Sequence, residues 1–276
     1  AGGLAIFISF AISSLVFLPL IVTRVHFFST YFEYVFPIVV AGAVIILTGL
    51  IDDVRELAPL PKILGILFAA LIIWFFTDFH FDSFKIPFGG PLLVFPTWLA
   101  FCLTVLWIVA ITNAINLIDG LDGLVAGVSI ISLLTMGIVS YFFLYDSNIF
   151  LSLTIFVLVA AIAGFLPYNY HPAIIYLGDT GALFIGFMIG VFSLQGLKNS
   201  TAVAVVTPII MLGVPITDTV VAIIRRKLSG QKIYEADRMH LHHRLLSLGL
   251  THRGTVLVIY AISFIFSLTS LLLNIS

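Results

Sequence analysis

Four groups of side chains in this 276-residue chain have the types and spacing for chemistry on phosphates. The first is the pair Asp52-Asp53 within Gly49-Leu50-Ile51-Asp52-Asp53-Val54-Arg55-Glu56. Adjacent carboxylates repel, and one is raised in pKa unless a cation lies between them. A pair at a water boundary therefore suits a divalent metal, a base acting on a phosphate, or both, and a solvated helix end is the plainer alternative. The second group is Asn113-Ala114-Ile115-Asn116-Leu117-Ile118-Asp119-Gly120-Leu121-Asp122-Gly123-Leu124. Held near-helical, it sets Asn113, Asn116, Gly120 and Gly123 on one face, bordered by Asp119 and Asp122 at i, i+3. Such a face offers amides beside two positions without Cβ, where a ligand can approach the backbone. A helix break capped by Asn and Asp would need fewer polar groups than are present.

The third group is Asn169-Tyr170-His171-Pro172, followed by Tyr176-Leu177-Gly178-Asp179-Thr180-Gly181 opening an apolar run. A helix amino terminus favours anions, so Asp179 reads either as a cap or, flanked by glycines, as a metal ligand. The expected cation is Mg²⁺, with Mn²⁺ as its substitute, because the acids are joined by no Cys or His cluster of zinc spacing. The fourth group is Asp237-Arg238-Met239-His240-Leu241-His242-His243-Arg244, inside the long segment from Arg225 to Arg253. On a short helix His240, His243 and Arg244 share a face while His242 points elsewhere. Guanidinium and imidazolium groups match phosphate oxygens in charge and geometry. A zinc site is one alternative, and topology charge another, though the latter explains arginines better than three histidines. Two residues stand apart: Asp218, about 10 Å inside its helix end, suits a satisfied packing acid as well as a functional one, and Lys62 suits a phosphate contact or a snorkelling role.

The elements that position these groups follow from composition. The chain is 61% apolar and 9% charged, with a mean hydropathy of +1.23, against about 25% charged for ordinary soluble domains. That composition implies an all-α polytopic membrane protein. A net charge of −1 excludes a nucleic-acid surface, and the single cysteine, Cys102, excludes an internal disulfide. Apolar runs near 3–22, 34–51, 63–77, 95–116, 122–144, 148–166, 176–195, 201–224 and 254–275 predict nine transmembrane helices. Residues 80–96, alternating around Gly89-Gly90-Pro91, predict a short extracytoplasmic β-hairpin. The chain reads as one integral-membrane domain over 1–276, with a cytoplasmic basic and histidine-rich loop at 225–253. It opens on Ala1 and a span rather than a signal peptide, so an amino-terminal span is expected to be missing.

Sidedness follows from positive charge. Arg55, Lys62, Arg225, Arg226, Lys227, Lys232, Arg238, Arg244 and Arg253 fall in the loops at one side, and Arg24, Lys85 and Lys198 at the other. The richer side is predicted to be cytoplasmic. Asp52, Asp53, Glu56, Asp119, Asp122, Asp179, Asp218, Glu235 and Asp237 gather there too. Acids at or inside helix ends are costly unless paired, metal-bound or wet. Their one-sided placement implies a membrane-surface site for phosphoryl transfer between a soluble donor and a lipid acceptor. A cation-coupled transporter, the alternative outside enzymology, would want acids reachable from both faces.

The four motifs, in this order, resemble the polyprenyl-phosphate N-acetylhexosamine-1-phosphate transferases. The His240-Leu241-His242-His243-Arg244 form after Ala236-Asp237-Arg238 resembles the WecA/TagO-like branch; the phospho-MurNAc-pentapeptide transferase branch, the alternative activity, usually shows three consecutive histidines. Two features depart from the family: Glu56 stands where its acid motif commonly ends in Asp, and its first span and the loop before Gly2-Gly3 are absent. The resemblance implies Mg²⁺-dependent transfer of N-acetylglucosamine 1-phosphate from UDP-N-acetylglucosamine (UDP-GlcNAc) to undecaprenyl phosphate, with release of UMP, at the cytoplasmic face of a bacterial plasma membrane. It also implies a homodimer. Carried over by motif, Asn116 and Asp179 would hold the metal, and Asp52 and Asp53 would activate or position the acceptor phosphate. Asp119 and Asp122 would line the nucleotide pocket, Asp119 as a third catalytic acid and Asp122 near uracil. Lys62, Asn113, His240, His242, His243 and Arg244 would bind substrate, and Asn169 would support the metal site. An Asp acting as base in a direct displacement and an Asp acting as covalent nucleophile both remain open, with direct attack favoured because a lipid phosphate is already nucleophilic.

Overall fold

The computed structural model describes residues 2–21, 25–85, 91–143, 149–198, 208–228 and 240–275. Helix α1 (Gly2–Ile12) widens through a π-type turn (Ser13–Phe17) into α2 (Leu18–Ile21). Helices α3 (Val25–Arg55) and α4 (Pro59–Phe76) follow, then α5 (Thr97–Leu117), α6 (Leu124–Phe142), α7 (Ile149–Asn169) and α8 (Gly178–Lys198). The chain ends with α9 (Gly213–Leu228), the short α10 (Leu241–Ser247) and α11 (His252–Ile275). Between α4 and α5, β1 (Ser83–Lys85) pairs antiparallel with β2 (Leu92–Val94), Phe84 opposite Leu93. The Gly-Gly turn expected to join them lies outside the described residues.

Among the described residues seven helices are long and apolar enough to cross a bilayer, not the nine expected. The other two expected spans fall on α8, a 21-residue helix, and on α9; the expected start of the latter span at 201 lies outside the described residues. Large apolar side chains face outward from these helices, among them Phe68, Phe75, Trp98 and Leu106, each more than half exposed. Water would penalise that surface and hydrocarbon does not.

The centre is α8. From Ala182 to Ile189 its apolar side chains are fully buried, the pattern of a helix surrounded by helices rather than by lipid. Its neighbours are α3, α5, α1 and α6, and where it crosses the first three a glycine stands at a point with no room for a Cβ. At Gly49 of α3 a Cβ would overlap the backbone of Thr180 at the start of α8. Glycine at such a crossing lets two helix backbones meet, which in a bilayer replaces hydrophobic driving force with van der Waals contact. The consequence for function is direct: the crossing lays the acidic end of α3 against the amino terminus of α8.

This crossing predicts that Gly49→Leu destabilises the fold, by about 1–3 kcal/mol for overpacking, seen as a lowered thermal midpoint and aggregation in detergent size-exclusion chromatography. Leu47→Ala, on the lipid-facing side at 60% exposure, should leave both unchanged. Equal behaviour of the two variants would contradict the crossing.

Candidate active site

Helix ends converge at one end of the bundle: the carboxyl termini of α3, α5 and α7 and the amino termini of α4, α6, α8 and α11. The antiparallel order of consecutive helices dictates this, since every second connection lies on the same side. The four sequence motifs are these connections.

Asp52 and Asp53 do not face each other, as a pair sharing one cation would. Successive residues on a helix diverge by about 100°, and the two acids reach different partners. Asp53 turns to α8. Its Oδ1 accepts the Asp179 N–H at 2.8 Å, and its Oδ2 accepts the Thr180 hydroxyl at 2.6 Å and the Thr180 N–H at 3.4 Å. It thereby satisfies from another helix the unpaired donors that open α8. Gly178, at φ +70°, makes the turn into α8, and a Cβ there would stand 2.8 Å from Asp53 Oδ2. Asp52 is buried at 4% exposure. Its Oδ1 accepts the Leu57 N–H at 2.9 Å, and its Oδ2 forms an ion pair with Lys62 Nζ.

Lys62, one turn into α4, also reaches Asp179 Oδ1 at 3.4 Å. The same oxygen accepts Asn116 Nδ2 from the end of α5 at 2.6 Å. Asp52, Lys62, Asp179 and Asn116 thus form one connected polar cluster drawn from four helices. Asp119 lies beside it in the connection between α5 and α6. Burial first, then the charges of Asp179, Asp53 and Asp122, push its carboxyl up to about 7. With Asp53, this neighbourhood offers carboxylate and amide oxygens and no thiolate, the donor chemistry of a hard divalent cation. A lysine ammonium already bridges two of the carboxylates, so the place attracts positive charge. These residues fit Mg²⁺ or Mn²⁺, with Asp179 and Asn116 as the first candidates to hold it.

A cleft of about 330 Å³ opens beside the cluster, lined among others by Asp119, Asp122, Asn169, Tyr176 and His252. The expected continuous Asn/Gly stripe does not form. Helix α5 ends at Leu117, and Gly123 sits at φ +78°, a conformation no helix accommodates, so α6 starts afresh at Leu124. Asn113, one turn before Asn116 on α5, is not brought into the cluster; its Nδ2 donates to Val109 O at 2.8 Å within its own helix. Asn169 secures the connection instead, accepting the Gly123 N–H through Oδ1 and donating to Ile175 O, each at 3.0 Å.

His252 of the cleft wall and His171 beside it have no role assigned from the sequence. His171 Nδ1 lies 2.9 Å from Asp122 Oδ2, which also accepts the Ala173 N–H at 3.2 Å. The His252 ring stacks on His171 with centroids 3.9 Å apart and planes 16° apart. Burial raises the Asp122 carboxyl, but the His171 and Ala173 hydrogen bonds and the His252 charge outweigh it and hold the group below the usual carboxylate range. One ligand atom from each of Asp122, His171 and His252 lies within 4.8 Å of the other two, close enough for the trio to hold a metal ion. His171 stood inside a quoted motif and His252 at the start of the last apolar run; nothing in sequence joins two residues 81 positions apart.

The histidine segment is placed differently from the expected shared face of His240, His243 and Arg244. His240 has extended backbone (φ −61°, ψ 157°) and caps α10 rather than belonging to it. His240 and His242 are buried, while His243 and Arg244 are exposed. Burial, then the neighbouring His243 and His240, pushes the His242 imidazole down to about 4, so it is neutral at physiological pH. Asp237 and Arg238 lie outside the described residues.

A family model for glycosyl transferase family 4 matches residues 35–197. The chain is 45% identical over 275 residues to a probable undecaprenyl-phosphate N-acetylglucosaminyl 1-phosphate transferase of Bacillus subtilis, covering 99% of this chain and 72% of the relative. It is 37% identical over 278 residues to the decaprenyl-phosphate N-acetylglucosaminephosphotransferase of Mycolicibacterium smegmatis, covering 94% and 68%. At 26% over 225 residues it matches the undecaprenyl-phosphate alpha-N-acetylglucosaminyl 1-phosphate transferase of Salmonella typhi, covering 80% and 60%.

The Asp119 environment sets a pH test. A carboxyl raised to about 7 in the folded state binds a proton that the unfolded chain has already released, so stability falls as pH rises from about 4 towards 7 and the full deficit persists above. In EDTA, Asp119→Asn should raise the thermal midpoint by a few degrees at pH 8 and by less at pH 5. A gain independent of pH would contradict the crowding.

Proposed function

The chain belongs to glycosyl transferase family 4, and from that premise we propose that it transfers N-acetylglucosamine 1-phosphate from UDP-GlcNAc to undecaprenyl phosphate. The oxygen of the acceptor phosphate attacks the β-phosphorus of the donor. The bond from that phosphorus to the bridging oxygen breaks, UMP leaves, and a lipid-linked diphosphate sugar remains. The names of the B. subtilis and S. typhi relatives support the C55 acceptor, and the M. smegmatis relative makes a decaprenyl chain the variant to compare.

The observation that carries this reading is Asp179. It stands at the amino terminus of α8, held there by Asp53, faces Asn116 and Lys62, and follows directly on Gly178 of the cleft wall. When bound at Asp179 and Asn116, Mg²⁺ would neutralise the donor diphosphate and ease the departure of UMP. Lys62, freed from Asp179, has the reach and charge for a phosphate oxygen. Asp52 and Asp53 act mainly by fixing this frame, since their oxygens are engaged by Lys62, Leu57 and α8. Asp119, protonatable near neutral pH, is the acid best suited to receive or relay a proton at the acceptor. Tyr176, 69% exposed at the cleft, offers a ring face on which a nucleobase can stack. Exposed Arg244 supplies further charge for phosphate, and exposed His243 a hydrogen-bonding ring for phosphate or sugar. Residues rich in Lys and Arg border this end of the bundle, which supports a cytoplasmic active site in a bacterial plasma membrane.

The test is UMP release by full-length protein in detergent, given UDP-GlcNAc, undecaprenyl phosphate and Mg²⁺. EDTA should abolish the release, and Asp179→Asn should lower kcat by about 10²–10³-fold. Release that ignores EDTA, or an Asp179→Asn variant as active as the parent, would overturn the assignment of the metal position. No UMP from well-folded protein with any UDP-sugar would overturn the transferase reading.

A further inference from the structure

Asp218 is the buried acid that the cluster above does not use. It lies six residues into α9, between Thr217 and Thr219, with 9% of its side chain exposed. A carboxylate there needs partners, and both of its oxygens find them at the start of α10. Oδ2 lies 2.8 Å from His240 Nδ1, and Oδ1 accepts the Leu241 N–H at 2.8 Å. His240 makes no side-chain cap of its own, so Asp218 supplies that cap from another helix.

The anchored start determines where the next histidine goes. His242 is 3% exposed, and its ring lies against Gly120 so closely that a Cβ on Gly120 would overlap Nε2. Gly120 adjoins Asp119 in the connection that lines the cleft. A continuous set of contacts therefore runs from α9 through Asp218, His240, Leu241 and His242 to the Asp119 connection. Asp218, when ionised, can only accept hydrogen bonds, so His240 must carry its proton on Nδ1 and present Nε2 outward.

We propose that Asp218 is a positioning residue for the transfer reaction: it seats the histidine helix α10 against the Asp119 connection and fixes which nitrogen of His240 carries the proton. The assignment rests on the transferase reading for its kinetic consequence and on geometry alone for the tautomer. Asp218→Asn preserves the cap, because its amide oxygen still accepts the Leu241 N–H. Its amide nitrogen, however, donates to His240 Nδ1 and moves the ring proton to Nε2. The pair of effects separates positioning by shape from positioning by proton.

The experiment combines two readouts on full-length protein. Nitrogen-15 NMR of histidine-labelled protein in micelles, with the His240 signal assigned through His240→Gln, should show the Nδ1–H form in the parent and the Nε2–H form in Asp218→Asn. In UMP-release kinetics, Asp218→Asn should lower kcat by roughly 10–100-fold with the KM for UDP-GlcNAc within about threefold. The same substitution placed on His240→Gln should add little further loss, because both act through one contact. Asp218→Glu, which restores the acceptor, should recover part of kcat. An unchanged His240 tautomer in Asp218→Asn, or losses that multiply in full with those of His240→Gln, would overturn the proposal. Should Asp218→Asn fail to fold, the tautomer in the parent protein decides: an Nε2–H form of His240 there overturns it as well. A parent that makes no UMP yet shows the Nδ1–H form and its shift in the variant would refute the transferase reading and leave the positioning contact standing.

Discussion

The carboxylate of Asp53 closing the amino terminus of α8 is the interaction on which the site depends. Three hydrogen bonds, two from backbone N–H groups and one from the Thr180 hydroxyl, join the last turn of α3 to the first turn of α8. Hydrogen bonds to a charged group are worth about 1.5–3 kcal/mol each when buried, and solvent at the exposed Asp53 carboxylate reduces that here. The positive end of the α8 dipole adds to the attraction. Because α8 is wrapped by helices along its length, this contact cannot slide without repacking the core. Asp179, whose own N–H is part of the clamp, therefore emerges at a fixed point.

That clamp has an electrostatic consequence. It commits Asp53 to the frame and holds Asp179, Asp119 and Asp122 near one another, which charge repulsion alone would oppose. Lys62 offsets part of this by joining Asp52 to Asp179. The remainder appears as the raised carboxyl of Asp119 and the imidazole partners drawn around Asp122. An array of this kind is poised for a divalent cation and for the phosphates that travel with it. It is also one-sided, since each contributing acid sits at a helix end that the alternating direction of the bundle places together.

Much of this was legible in sequence and some could not be. Hydropathy alone identifies the helices, and Asp179 beside Gly178 marks the start of α8 correctly. The site residues Asp52, Lys62, Asn116 and Asp179 were all singled out, and they meet. What sequence misjudged was direction. Asp52 and Asp53 look like a pair until the 100° step between them sends one to Lys62 and the other to α8. The Asn113 to Gly123 stripe presumed one helix, but α5 ends at Leu117 and α6 begins after the left-handed Gly123, while Asn113 turns back to Val109 of its own helix. The His171–His252 stack and the Asp218–His240 contact join distant segments, and local pattern carries no information about them. Seven of the nine expected spans appear among the described residues, and the other two fall on α8 and α9.

The central claim, that Asp179 held at the start of α8 is the anchor of a cation site, is tested most directly by titrating full-length protein with Mn²⁺ and following free metal by electron paramagnetic resonance. The account predicts a binding site in the parent protein whose affinity falls by at least about 10-fold in Asp179→Asn, with the fold preserved because the Asp179 N–H still caps on Asp53. Binding of equal strength in the variant, or none in the parent, would contradict it.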